Sequence, residues 1–171
     1  MTKIRISGIY DLATARATAA LNIDFIGLNL THGEKNAISP IKVSDYTQWL
    51  SGVKIIAQVH HLNQGKAERF IELLNLPYAE ILSENASAAN PSIWHFANNL
   101  ESTDKTLTST TNVENAAGDY HFLKINDISD AEVDHLKEKG ISNYDIEIAA
   151  FLEDGQLTFE KLEALITKIR S

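Results

Sequence analysis

Apolar and polar residues alternate along this chain with two different periods. Lys3-Ile4-Arg5-Ile6-Ser7-Gly8-Ile9 repeats every second residue and runs into a glycine turn, which predicts a strand. Residues 11–21 are alanine-rich with good helix propensity, and Asp11 is placed to cap them. Residues 24–30 (DFIGLNL) read as a second, buried strand. A polar loop, 31–36, leads to Ile38-Ser39-Pro40 and a helix through Leu50. A third strand at 54–60 (KIIAQVH), a helix at 65–76 and a short fourth strand at 79–83 continue the period. Strand-helix repetition of this kind builds a parallel sheet with right-handed crossovers.

The middle third is weaker. Residues 92–96 (SIWHF) read as a fifth strand, but 97–105 leave little room for a helix. Residues 107–111 are threonine-rich and β-prone yet poorly apolar, a sixth strand of low hydrophobicity. Order returns with a strand at 120–126 (YHFLKIN) and a helix at 130–139, stopped by Gly140. A last strand at 144–149 (YDIEIA) and a closing amphipathic helix at 158–169 follow. Eight strands and five or six helices describe one α/β domain over 1–171: a TIM-barrel-like (βα)8 parallel barrel, compressed or partly incomplete around 97–119. An open barrel is the alternative.

Composition narrows the chemistry. The chain has 171 residues, short for an eight-fold βα barrel, which typically takes about 250. A net charge of −8 argues against nucleic acid as a partner, because phosphate backbones are met by clustered Lys and Arg. The chain has no cysteine, which removes disulfides, thiolate metal sites and thiol nucleophiles and fits a reducing cytosol. No apolar run is long enough to span a membrane, and the first residues lack a signal peptide's apolar core. A cytoplasmic protein with no membrane partner is expected. His60 and His61 are adjacent on a strand and point to opposite faces, so they cannot chelate a metal together. The remaining histidines show no metal-ligand spacing, and no metal or cofactor is expected.

The order of the motifs resembles phosphoribosylanthranilate isomerase, a barrel family of tryptophan biosynthesis. Lys3-Ile4-Arg5-Ile6-Ser7-Gly8-Ile9 is similar to its "KICGI" opening. DFIGLNL followed by Ile38-Ser39-Pro40 is similar to its "aDalGFvF…RyVSP" unit. Ile81-Leu82-Ser83-Glu84-Asn85 stands where the family has "VQLHG". Tyr144-Asp145-Ile146-Glu147-Ile148 and the closing helix resemble its "GVDVSSGVE" ending. The resemblance covers both ends and thins between residues 91 and 119. It implies the barrel fold and, for an active member, aldose-ketose isomerisation, an intramolecular oxidoreduction.

The departures weigh against that activity. The family's catalytic base, a cysteine, falls at Ser7, whose hydroxyl has far too high a pKa to act alone. Its acid, an aspartate beside a "GGTG" loop, has no counterpart between 101 and 119. Its glycine-rich phosphate loops are replaced by Lys124-Ile125-Asn126-Asp127-Ile128 and Ile148-Ala149-Ala150-Phe151. Its loop arginine falls at Asn36.

Strand alternation gathers the remaining polar residues on the inner face. Ser7, His60, Glu84 and Asp127 are the candidates for acid-base chemistry; Arg5, Asn29, Asn36, Lys124, Asn126 and Glu147 are the candidates for ligand contact. Strand eight neighbours strand one in a closed barrel, so Arg5 is expected to face Glu147 or Asp145. The plainer and favoured reading of the same residues is an internal ion-pair network that keeps a polar barrel core satisfied. Three functions follow: a barrel with degenerate isomerase motifs that binds a small polar or anionic metabolite at its mouth; an active isomerase with substituted acid and base; or a non-catalytic scaffold whose exposed edges pair with a second copy as a homodimer.

Overall fold

A computed structural model describes residues 2–81, 92–96, 107–110, 121–125, 128–154 and 156–171. The elements run β1 (Lys3–Ile9), α1 (Leu12–Ala19), β2 (Phe25–Asn29), α2 (Val43–Trp49), β3 (Lys54–Gln58), α3 (Gln64–Leu73), β4 (Tyr78–Ile81), β5 (Ser92–Phe96), β6 (Leu107–Thr110), β7 (His121–Ile125), α4 (Asp130–Glu138), β8 (Asn143–Glu147) and α5 (Phe159–Arg170). A short hairpin, β9 (Leu152–Glu153) and β10 (Gln156–Leu157), precedes α5. Strands β1 to β8 hydrogen-bond in sequence order into a closed barrel.

The helices begin where the sequence supplies caps. The Asp11 carboxylate accepts from the Thr14 N–H at 2.8 Å and from its hydroxyl at 2.6 Å, starting an alanine-rich helix with little amphipathic pull of its own. Ser129 and Glu132 close a reciprocal capping box on α4. Gly140, at a φ of +80°, ends that helix in the left-handed conformation that glycine adopts without cost.

Alternation along the strands separates two apolar regions. Ile4, Ile6, Ile26, Leu28, Ile55, Ala57 and Ile146 face outward and pack with helix residues such as Ala15, Ile71, Leu162 and Ile166 in the main core. Inside the barrel Phe25, Ile56 and Phe122 form a separate plug at the amino-terminal end, with Tyr78 packed against it. Phe25 meets Phe122 and Tyr78 edge-to-face, at ring separations of 5.8 and 6.0 Å. The next inward positions, above the plug, are Arg5, Gly27, Gln58, Glu80 and Asp145. Above them Ser7, Asn29, His60 and Glu147 reach the carboxyl-terminal mouth.

One strand departs from the all-parallel plan. β5 runs antiparallel to both β4 and β6, while every other neighbouring pair is parallel. The connections 82–91, 97–106 and 111–120 have ten residues each. That is the lower limit for a crossover carrying a helix, and two of the three join antiparallel neighbours, which need no crossover. The expected βα regularity thus holds from β1 to β4 and from β7 to α5, and the compression falls between them. Trp49 is 61% exposed, with the Arg16 guanidinium of α1 5.2 Å from its ring centre. Among the described residues no helix is long and apolar enough to cross a membrane.

Candidate functional site

The barrel is sealed halfway up by charge. Arg5 is fully buried, and its guanidinium donates to Glu80 and, at 3.3 Å, to Asp145. Asp145 sits beside it in the β1–β8 register, fulfilling the expected pairing across those strands. Glu80 lies on β4, three strands away. Arg5 reaches it by passing over Gly27 and along Gln58, whose amide donates to the same Glu80 oxygen at 2.9 Å. Gln58 Oε1 in turn accepts the Gly8 N–H at 2.7 Å. Gly27 makes the passage: a Cβ there would stand 2.9 Å from Gln58 Oε1 and 3.1 Å from Arg5 Nη2. Burial pulls the Arg5 pKa down to about 10, with Asp145 and Glu147 opposing, so it remains a cation at neutral pH. Arg5, one of the expected ligand contacts, therefore lies one layer below the mouth and is bound into the barrel itself.

Above this layer opens a cavity of about 470 Å³. Ser7, Asn29, Asn36, His60, Lys124 and Glu147, all singled out in the sequence, line it, together with Gly8, Tyr10, Glu34, Lys35 and Gln58. Glu84, Asn126 and Asp127 lie outside the described residues. The Ser7 hydroxyl is buried and directed at the Ile146 carbonyl, 3.4 Å away, and no base contacts it among the described residues. Lys124 and Glu147 form an ion pair of 3.0 Å across β7 and β8. Asn29 is occupied in shaping the loop that follows β2, donating to Glu34 at 2.8 Å and accepting from the Thr31 N–H at 3.0 Å.

His60 is the titratable group that stands out. It lies two residues beyond β3 with its ring turned inward, while His61 points outward and accepts the His32 N–H at 3.0 Å. Burial pushes the His60 imidazole below its ordinary pKa; Glu34 opposes this, and Arg5, Lys124 and His61 reinforce it. Its Nε2 is buried and stands 3.5 Å from Glu80 Oε1, too far for a hydrogen bond. Among the described residues no group of three or more His, Cys, Asp or Glu could hold a metal.

Two elements of this arrangement escaped sequence reasoning. Glu80 is not among the residues singled out in the sequence, although a lone acid between Ala79 and Ile81 in a short buried strand needs a partner. Gly27, an isolated glycine in an apolar strand, marks the close approach of the Arg5 and Gln58 side chains.

No protein-family model matches the sequence, and no curated protein matches it. Solved structures do. The chain superposes on a phosphoribosylanthranilate isomerase from Thermotoga maritima with a TM-score of 0.69 over 99% of both chains, at 13% identity; that structure is described as monomers of a dimeric enzyme. The same TM-score, coverage and identity relate it to a phosphoribosylanthranilate isomerase in complex with reduced 1-(o-carboxyphenylamino)-1-deoxyribulose 5-phosphate. The N-(5′-phosphoribosyl)anthranilate isomerase from Pyrococcus furiosus gives 0.67 over 99% of both chains, at 12% identity. This chain has the barrel fold of the phosphoribosylanthranilate isomerases.

Proposed function

We propose that this barrel binds a small, polar, uncharged metabolite at its mouth without the isomerase chemistry of the enzymes whose fold it shares. The observation that carries this reading is a cavity of about 470 Å³ standing open above a sealed ionic layer. Among the described lining residues Lys35 and Lys124 balance Glu34 and Glu147. Beneath them one guanidinium faces two carboxylates. A phosphorylated ligand would find no positive field among these described residues, and the Gly8 N–H is already held by Gln58. Of the polar and anionic ligands expected from the sequence, the polar one fits.

Proton transfer would need an acid and a base facing each other across the substrate. Ser7 is directed at a backbone carbonyl, and His60 is a neutral imidazole at physiological pH. One observation favours chemistry instead: the Glu80 carboxylate behind His60 could steady an imidazolium, as an acid-base dyad requires. That is the second reading, an isomerase with a substituted base. Arg5 and Gln58 hold the other Glu80 oxygen, Oε2, and Oε1 stands 3.5 Å from His60 Nε2, beyond hydrogen-bond reach, so the ring is not oriented by it here.

The test is a thermal-shift comparison of neutral pentoses and polyols with their phosphate esters at matched ionic strength. Neutral ligands are expected to raise Tm, and His60→Gln or Asn29→Ala to abolish the rise. Stabilisation by the phosphate esters alone, lost in Lys124→Gln, would overturn the reading.

A further inference from the structure

The His60 ring stands at the mouth on a backbone tied down from two sides. The His60 N–H donates to the Thr31 hydroxyl at 3.3 Å, and that hydroxyl donates to the Gln58 carbonyl at 3.2 Å. On the other side the Val59 N–H donates to the Glu80 carbonyl at 2.9 Å. Nε2 is buried, has no hydrogen-bond partner among the described residues and faces Glu80 Oε1 at 3.5 Å. A lone pair there would oppose the carboxylate, whereas an N–H is attracted to it, so the neutral ring carries its proton on Nε2. The ring lines the cavity with 23% of the side chain exposed. With Nε2 covered, the nitrogen left for a ligand is Nδ1, which bears the lone pair. Of the described charged groups, Arg5 on β1, Glu34 after β2, His61 after β3, Glu80 on β4, Lys124 on β7 and Glu147 on β8 surround it. Glu34 is held by Asn29 and Glu147 by Lys124, and burial keeps the imidazole neutral at physiological pH.

We infer that His60 selects what the mouth binds: Nδ1 accepts a hydrogen bond from a ligand hydroxyl, so the site takes neutral polyhydroxylated molecules and releases them when the imidazole is protonated. The inference rests on the mouth being the site of an uncharged metabolite, and adds which atom recognises it and what ends the recognition. A ligand carbonyl or ether oxygen brought to Nδ1 would set lone pair against lone pair, while a hydroxyl turns its hydrogen to it. Protonation removes that acceptor. It also draws the ring toward Glu80 Oε1, the oxygen not held by Arg5 and Gln58, and a short move completes that ion pair at the ligand's expense.

The experiment titrates the whole chain with D-ribose and ribitol between pH 5 and 8, reading affinity by calorimetry and the His60 tautomer by imidazole nitrogen chemical shifts. In the free chain at pH 7.5 the proton is expected on Nε2, and the sugars should move the Nδ1 resonance. Affinity should hold level above pH 6.5 and fall about tenfold per pH unit below the pKa of His60. His60→Gln, whose amide reaches the place of Nε2, should lose binding. His60→Asn, whose carbonyl oxygen falls near the place of Nδ1, should restore part of it with a flat pH profile. A proton on Nδ1 in the free chain, equal affinity at pH 5 and 8, or a fall with pH that persists in His60→Asn would each overturn the inference and leave the mouth reading in place. Absence of binding by either probe at every pH would overturn both. If His60→Asn fails to fold, the wild-type tautomer and pH profile decide.

Discussion

Gly27 and His60 carry the consequences at the scale of single residues. Replacing Gly27 with alanine would put a methyl group within 3.1 Å of both Gln58 and Arg5, in a layer that has no solvent to yield into. Gly27→Ala is therefore expected to lose about 1–3 kcal/mol of stability by urea denaturation. An unchanged midpoint would show that Arg5 reaches Glu80 by another path. His60 predicts a pH dependence. Its pKa is depressed in the folded chain from an ordinary value of 6.5, so the unfolded state takes up a proton first as pH falls. Stability relative to His60→Gln should drop as pH falls through 6.5 and hold level above that range. Parallel stability curves for the two proteins between pH 5 and 8 would contradict the buried, neutral imidazole. Arg5 shows what a sequence can tell at this scale. Its inward direction and its partner Asp145 follow from strand alternation and the adjacency of first and last strands, both local rules. Glu80 did not follow, because its meeting with Arg5 depends on the width of the barrel and on the gap that Gly27 leaves between them.

At the scale of elements, the first helix depends on its cap. α1 is alanine-rich and only weakly amphipathic, and Asp11 satisfies both the N–H and the hydroxyl of Thr14. Asp11→Ala is expected to cost about 1 kcal/mol in chemical denaturation, and a loss below a few tenths would mean that packing alone holds the helix. Most elements were legible because each carried its own period and many a stop signal, as α4 does at Gly140; Gly8, expected to turn the chain, instead lies within β1 at a φ of +78°, where the register with β2 shifts. The orientation of β5 was not. Residues 92–96 were read correctly as a strand, but direction is set by the connection before it, and 82–91 carries no helical pattern to force a parallel return. β6 (LTST) is also the least apolar strand of the barrel, which is why the compression could be located but not resolved.

At the scale of the whole molecule, the fold and its charge point in different directions. The barrel superposes on phosphoribosylanthranilate isomerases over nearly its entire length at 13% identity, so the two share the architecture with little sequence in common. Among the described residues, charge balances at the mouth and runs negative in the layer beneath. The residues that the resemblance sets against a catalytic base and a loop arginine, Ser7 and Asn36, were legible because such motifs are local. The sequence could not show where the remaining charges gather, because that depends on which side chains the closed barrel brings together. Fold without isomerisation is the central claim, and turnover of N-(5′-phosphoribosyl)anthranilate by the purified, folded chain at high concentration tests it most directly. No turnover above the uncatalysed background is expected, whereas turnover that disappears in His60→Gln would contradict the account.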